Sequence, residues 1–303
     1  MQKTISILKK HQLTGHNASV FALSAAASEL YSAAGDGWIV RWNPADADLG
    51  RLIAKVETQL FSVLFLKNEN KIVAGNMTGG LHWVDLDNPA LSKNVAHHKK
   101  GVFGLLQIGD SLISAGGEGI LTRWSVAESR TLESLHLSAK SLRCLDYSVV
   151  RNEIAVGSSD FSIYLLDAHT FEIKTILKTA HENSVFALRY SPDGNFLLSG
   201  GRDAHLKAWS PEANMKLIFS QPAHWYTVND IVFHPSGQWF ATASRDKTIK
   251  IWDGKTFELL KVIETFRDGG HVNSVNKLLF LDEADLLVSA SDDRSIILWK
   301  IEI

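Results

Sequence analysis

SASDDRSIILW, residues 289–299, ends on Trp299 and carries an acid, Asp293, six positions earlier. Four more stretches have that form: SAAGDGWIVRW (32–42), SAGGEGILTRW (114–124), SGGRDAHLKAW (199–209) and TASRDKTIKIW (242–252). In each, a Ser or Thr stands four residues before the acid. Two weaker copies fill the gaps. AGNMTGGLHWV (74–84) has Val84 where Trp stands elsewhere, and VGSSDFSIYLL (156–166) has Leu166 there. The copies end at 42, 84, 124, 166, 209, 252 and 299, so the period is 40–47 residues. Length alone, 303 residues, predicts roughly two domains. Seven copies at one period fill the chain and override that expectation.

Five copies also begin alike, with a histidine four residues before a valine: His16/Val20, His98/Val102, His181/Val185, His224/Val228 and His271/Val275. Short runs rich in β-branched and aromatic residues follow, separated by turns such as Ser191-Pro-Asp-Gly194 and His234-Pro-Ser-Gly237. Such runs every 8–12 residues predict antiparallel strands. No long stretch has a 3.6-residue apolar period, so helices are expected to be few.

The period, the opening Gly/Ala-His pair and the closing Trp252-Asp253 resemble the WD-repeat family over essentially the whole chain. The resemblance implies an all-β, seven-bladed propeller of four-stranded antiparallel blades, with residues 1–303 forming a single propeller. The last copy ends on a third strand, Ser295 to Ile303. The segment Lys3 to Lys10 is placed to supply the fourth, outer strand of that blade and close the ring. Closure hides two sheet edges that otherwise invite aggregation.

Composition narrows the function classes. The chain is 45% hydrophobic and 21% charged, a globular balance that excludes disorder for its bulk. With 31 Lys+Arg against 33 Asp+Glu, the net charge of −2 leaves no footprint for a phosphate backbone or an anionic membrane. Nucleic-acid and membrane partners are therefore not expected. Cys144 is the only cysteine, which excludes an intrachain disulfide and a multi-cysteine zinc site. No run approaches the ~18 apolar residues of a membrane helix, and Ile5 to Leu8 is too short for a signal core. The expected location is cytoplasmic. Asn17-Ala18-Ser19 and Asn76-Met77-Thr78 then match the glycosylation pattern by chance.

Five recurring sets, His16/Ser32/Asp36/Trp42, His98/Ser114/Glu118/Trp124, His181/Ser199/Asp203/Trp209, His224/Thr242/Asp246/Trp252 and His271/Ser289/Asp293/Trp299, resemble catalytic triads in isolation. Five copies at blade period argue for structure instead, since an enzyme needs one. Trp offers only an N–H, Ser/Thr can donate and accept, and His bridges to the carboxylate. The sets look like the family's structural tetrad. Copy 2 has Thr78 in the acid position. Copy 4 keeps Asp160 but has Ser138 for His. Those two blades are expected to be less rigid.

Other motifs carry less. His97-His98 lacks neighbouring metal ligands. Gly116-Gly-Glu-Gly119 lacks the Gly-Lys-Ser/Thr of a phosphate loop. Lys9-Lys10 and Lys99-Lys100 read as solvated loop residues, Asp46 and Asp48 as surface charges in the loop Asn43 to Arg51. Cys144 reads as a small buried hydrophobe. No cofactor is implied.

The positions that differ between copies are the candidate contact residues, because the repeated core does not dictate them. One directly follows the strand-opening residue: Phe21, Phe61, Phe103, Arg143, Phe186, Asn229 and Asn276. A second precedes the turn acid: Gly35, Met77, Gly117, Ser159, Arg202, Arg245 and Asp292. Family geometry puts both near the channel mouth, with Trp225 and Tyr226 adjoining. The four Phe either plug the channel as packing or form a contact surface. The expected function is a non-catalytic protein–protein interaction scaffold. Its patch suits a peptide carrying hydrophobic and acidic residues, with Arg202 and Arg245 on one side. The alternative is a propeller enzyme of metal-assisted lactonase or hydrolase type, which needs converging carboxylates or histidines at the mouth.

Overall fold

The computed structural model describes residues 5–26, 29–45 and 50–303. Its strands form seven four-stranded antiparallel sheets, six of them running in chain order from the inside of the ring outward. Blade 1 is Val20–Ala26, Glu29–Ala34, Trp38–Trp42 and Arg51–Lys55. The innermost strands of blades 2 to 6 are Leu60–Leu66, Val102–Ile108, Leu142–Ser148, Val185–Tyr190 and Val228–Phe233. Blade 7 is Val275–Leu281, Leu286–Ser291 and Ser295–Glu302, and its outer strand is Ser6–Thr14 from the other end of the chain. The closing strand thus starts and ends later than the segment Lys3 to Lys10, and Lys3 and Thr4 lie outside the described residues. Leu13 is its buried anchor, and Lys9 is not a free loop charge, because its ammonium donates to the Gly269 carbonyl at 2.8 Å. Asp46 and Asp48 lie outside the described residues. One four-residue helix, Thr265–Asp268, and two short 3₁₀ turns are the only helices described.

Burial follows the radial order. Second strands such as Glu153–Ser158 and Trp239–Ser244 are buried at every residue, whereas the outer strand Arg130–His136 is mostly exposed. The buried apolar residues fall into seven clusters, and each bridges two neighbouring blades. Ile113, Ala115 and Leu121 of blade 3, for example, meet Leu142, Ile154 and Val156 of blade 4. The hydrophobic core is therefore between sheets, not within them.

Each of the five tetrads is a continuous hydrogen-bond chain. In blade 6, the Trp252 indole N–H donates to the Thr242 hydroxyl at 2.9 Å, that hydroxyl meets His224 Nε2 at 2.7 Å, and His224 Nδ1 meets Asp246 at 2.9 Å. In blade 1, Ser32 Oγ accepts from Trp42 at 2.8 Å and meets His16 at 2.7 Å, and His16 meets Asp36 at 3.0 Å. In blade 3, Ser114 Oγ accepts from Trp124 at 2.8 Å and meets His98 at 2.7 Å, and His98 meets Glu118 at 2.6 Å. Glu118 is the one tetrad acid that is a glutamate, and its second carboxylate oxygen is buried without a partner. In blade 5, Ser199 Oγ joins Trp209 at 2.9 Å to His181 at 2.8 Å, and His181 meets Asp203 at 3.0 Å. In blade 7, Ser289 Oγ joins Trp299 at 2.9 Å to His271 at 2.8 Å, and His271 meets Asp293 at 2.9 Å. Ser32, Ser114, Ser199, Thr242 and Ser289 are fully buried, so none of these hydroxyls can reach a substrate. The indole ring has a second task. Trp42, Trp124, Trp209, Trp252 and Trp299 each lie in the cluster shared with the preceding blade.

Blades 2 and 4 replace this chain rather than leave it empty. In blade 2 the turn is held by Asn76, not Thr78. Its carbonyl accepts from the backbone N–H groups of Thr78 and Gly80, and its amide contacts His82 at 3.0 Å. Trp83, one residue early, points to the other side and packs on Trp124, where its indole N–H has no partner. In blade 4, Asp160 accepts from Ser138 at 2.6 Å and from Tyr164 at 2.5 Å. Burial, reinforced by Asp160, pushes the Tyr164 phenol up to about 12. At the 1/2 interface, where Trp is missing, Tyr31 and Phe65 stack at 5.4 Å. These substitutes remove the premise for lower rigidity in the two blades.

Burial holds His98, His181 and His224 below the usual histidine value, although their acid partners pull the other way. Burial opposes the charge of Asp203, Asp246 and Asp293, but the tetrad histidines together with backbone and hydroxyl donors outweigh it and hold all three low, Asp203 at about 2.

Three outcomes test this account. Leu13→Ala should cost about 2–5 kcal/mol in urea unfolding, and deleting residues 1–14 should lower Tm further; an unchanged Tm after deletion refutes ring closure by this strand. His224→Ala or Asp246→Ala should cost about 1–3 kcal/mol by orphaning buried partners, and a wild-type unfolding curve for either removes the network's role. Folded His98, His181 and His224 resist protonation while their unfolded counterparts bind protons below about pH 6.5. Stability should therefore fall from pH 7 toward pH 5, then again below about pH 4 as the unfolded carboxylates protonate ahead of the folded ones. His224→Gln should flatten the first stage in Tm measured against pH, and a slope equal to wild type contradicts the assignment.

Candidate functional site

All seven innermost strands carry the same irregularity. The pairing register shifts across Val20/Ala22, Leu60/Ser62, Val102/Gly104, Leu142/Cys144, Val185/Ala187, Val228/Asp230 and Val275/Lys277. Each shift skips one residue: Phe21, Phe61, Phe103, Arg143, Phe186, Asn229 or Asn276. A bulge leaves a residue out of the ladder and re-aims its side chain. These side chains are thereby free to differ from blade to blade without disturbing the sheets.

The second variable position sits against the first. The backbone N–H of Gly35, Met77, Gly117, Ser159, Arg202, Arg245 and Asp292 donates to the carbonyl just before the strand-opening residue of its own blade, at 2.8–3.1 Å. Side chains join the positions too. Arg143 Nε donates to Ser159 Oγ at 2.9 Å, and the Asn276 amide donates to Asp292 at 2.7 Å. Both positions therefore lie at one end of the ring.

At that end the half-buried rings form an unbroken arc. Phe21 meets Phe61 edge-on at 5.4 Å, Phe61 stacks on Phe103 at 5.2 Å, and the Arg143 guanidinium lies 4.4 Å from the Phe103 centroid and 5.4 Å from that of Phe186. Asn229 and Asn276 differ. Their amides are engaged in latches between blades: Asn229 donates to the Val275 carbonyl at 2.8 Å, and Asn276 to the Val20 carbonyl at 3.1 Å. These two residues join blade 6 to blade 7 and blade 7 to blade 1.

Beside the arc stand fully displayed groups. Trp225 is 87% exposed and Tyr226 60%, and Arg202 and Arg245 are exposed. The Arg245 guanidinium lies 6.0 Å from the Tyr226 ring centroid. The loop is not loose, because the Trp225 backbone N–H donates to the tetrad acid Asp246 at 3.1 Å. The tetrad thus positions the exposed aromatics. Sequence reasoning passed over two neighbours. Val272 follows His271 as Trp225 follows His224, and Phe161 follows Asp160 where three other copies have Gly; both are exposed. Their place directly after a tetrad residue was the available signal. Phe161 has φ +76°, a left-handed turn geometry that glycine takes at Gly37, Gly79 and Gly119.

Other singled-out residues lie away from this arrangement. The buried tetrad residues, among them Ser32, Ser114, Ser199 and Ser289 with their histidines, belong to the framework behind the face and present no group on it. Glu118 is likewise engaged from within, by His98. Cys144 is half-buried rather than buried, and burial pushes its thiol up to about 12, which keeps it protonated. His97 Nε2 meets the Thr122 hydroxyl at 2.9 Å. Among the described residues no three His, Cys, Asp or Glu converge to hold a metal. A recess of about 450 Å³ on the outer rim, lined by Ser6, Leu8, His11 and Pro44 among others, lies on the closing strand rather than the mouth. Among the described residues no helix is long and apolar enough to cross a membrane.

Comparison with known proteins agrees with this geometry. The family model "WD domain, G-beta repeat" matches residues 172–210, 215–253 and 260–300. The nuclear distribution protein nudF of Emericella nidulans is 31% identical over 195 residues, covering 58% of this chain and 42% of that protein. The nuclear distribution protein PAC1 of Arthroderma benhamiae is 27% identical over 173 residues, covering 54% and 36%. The chain thus spans less than half the length of either relative. The crystal structure of the WD40 β-propeller domain of Doa1 superposes with a TM-score of 0.85 at 19% identity, covering 98% of this chain and 97% of that one. Three repeats match the WD-domain family model, and the ring of seven four-stranded blades has the same fold as a WD40 β-propeller.

Proposed function

We propose that the protein is a non-catalytic interaction platform that takes a peptide or protein partner on the channel-mouth face. The observation that carries this reading is the bulge repeated in all seven blades, which displays blade-specific side chains at one end of an otherwise uniform ring. Those side chains are of the types that dominate protein interfaces: a half-buried Phe arc flanked by exposed Trp225, Tyr226, Arg202 and Arg245. The tetrads leave no reactive hydroxyl, because each Ser or Thr is buried and bonded on both sides. The enzyme reading needs ligands converging at the mouth, and the bulge residues are Phe, Arg and Asn. A net charge of −2 supports a protein partner over nucleic acid or an anionic membrane. The setting we assign is cytoplasmic, consistent with a single unpaired cysteine.

Two variants of the full chain test the face. One carries Trp225→Ala, Tyr226→Ala, Arg202→Ala and Arg245→Ala at the mouth. The other carries Val149→Asp and Val150→Asp in the exposed hairpin turn at the opposite end of blade 4. With folding checked by circular dichroism, partners captured from a native lysate should be lost by the mouth variant and kept by the other, with at least a roughly tenfold loss of affinity. Partners lost by the opposite-face variant alone refute the assignment of the face.

A further inference from the structure

Three innermost strands carry half-buried cations, and two of these are neutralised within the ring. Arg189 Nη1 lies 3.0 Å from Asp146, and its Nε donates to the Ile231 carbonyl at 3.1 Å. Lys277 Nζ lies 3.0 Å from Asp230. Arg143 is the exception. Among the described residues no carboxylate pairs with it, and of its five N–H donors only Nε–H has a partner, Ser159 Oγ. The cation close enough for its charge to act on Arg143 is Arg202. Burial and the like charge of Arg202 both work against the Arg143 cation, and its guanidinium sits below the usual arginine value.

The geometry is that of a prepared binding group. Phe103 and Phe186, from the blades on either side, both lie against the guanidinium, and Ser159 occupies its Nε edge. What stays open is the Nη edge, the planar fork that matches a carboxylate or phosphate bidentately. The two ring contacts and the Ser159 bond hold the side chain before binding, which lowers the ordering cost of recognition. Arg202, exposed and unpaired among the described residues, is near enough for its charge to act on Arg143. A half-buried cation left without a counter-ion, on innermost strands whose other two cations each have a carboxylate partner, is a site waiting for one from outside.

We propose that Arg143, assisted by Arg202, is a socket for a single anionic group, a carboxylate or a phosphate, carried on the peptide that docks on the channel mouth. The flanking Phe arc takes the apolar residues next to that group. This inference rests on the docking reading above and names the chemistry that site recognises.

The test uses the full chain and a phage-displayed library of random 12-residue peptides, with enriched sequences synthesised. Wild type should enrich peptides with an Asp or Glu beside a hydrophobic residue. Changing that acid to Asn or Gln should weaken binding by roughly tenfold or more, and binding should fall as salt rises. On Arg143→Gln protein the same peptide change should have little effect, the mark of direct coupling between the two groups. Arg143→Lys, which keeps charge but loses the fork, and the exposed Arg202→Gln should each weaken binding in part, and they carry the test if Arg143→Gln fails to fold. Replacing the acid by phosphoserine separates the two sources: tighter binding assigns phosphate, weaker binding assigns carboxylate. Peptides that bind wild type and the Arg143 variants equally, or that lose nothing with their acid, overturn the socket and leave the docking face standing. A wild-type surface that enriches no peptide overturns the docking reading itself, and the socket with it.

Discussion

A four-stranded blade has two apolar faces and cannot bury either alone. Everything else in this molecule follows from that constraint. Each of the seven apolar clusters is shared by two blades, so no blade owns a core. The interfaces need large, flat side chains, and the tetrad Trp supplies one against the preceding blade in five of them. The same demand explains why the first and last strands of the chain pair. An open ring would leave the 7/1 cluster, with Leu13, Leu30 and Leu298, without one of its walls.

The tetrad couples this packing to the displayed face. A Trp that faces a neighbouring blade must still satisfy its indole N–H, and the buried Ser or Thr does so. That hydroxyl in turn needs an acceptor, the neutral histidine, and the histidine needs the carboxylate. The carboxylate ends the chain at the turn and has capacity left for backbone N–H groups of the adjoining loop: Asn17, Glu182, Trp225 and Val272 all donate to tetrad acids. A bond network that begins in the core therefore finishes by fixing the loop that presents Trp225 and Tyr226. Blade 2 shows the cost of departing from the scheme. Trp83, one residue out of place, packs on Trp124 but leaves its indole N–H unbonded.

The fold was legible because its signal is repeated. Ser–acid–Trp spacing in five copies fixes strand order, turn position and blade number at once, and the weak copies fall into register with the strong. The boundaries of the closing strand were less legible. Ser6–Thr14 carries no tetrad residue, and its pairing partner is at the far end of the chain. The substitute networks of blades 2 and 4 were hidden because Asn76 and Tyr164 stand outside the repeat's own pattern. They are found only once the turn places them against Thr78 and Asp160. At the mouth, the variable positions could be read from the alignment of copies, but their physical cause, a bulge in every innermost strand, could not. Bulges depend on pairing register, which no single copy records.

The seven bulges divide into two kinds of work, and the division has a structural reason. The chain ends meet within blade 7, so the 6/7 and 7/1 junctions include the one blade assembled from both ends of the chain. There the bulge residues are asparagines, whose amides bridge to the next blade's Val275 and Val20 carbonyls. Blades 1, 2, 3 and 5 carry Phe at the bulge, and blade 4 carries Arg143 set between two of those rings. Aromatic packing along the arc is largely indifferent to direction, so it holds the mouth together without consuming hydrogen-bonding groups. It thereby leaves the guanidinium edge of Arg143 unspent. A polar latch at the same place would have neutralised that edge, as Asp146 neutralises Arg189 three residues along the neighbouring strands. The arc is therefore both a packing element and the reason that one cation of the innermost strands is left available.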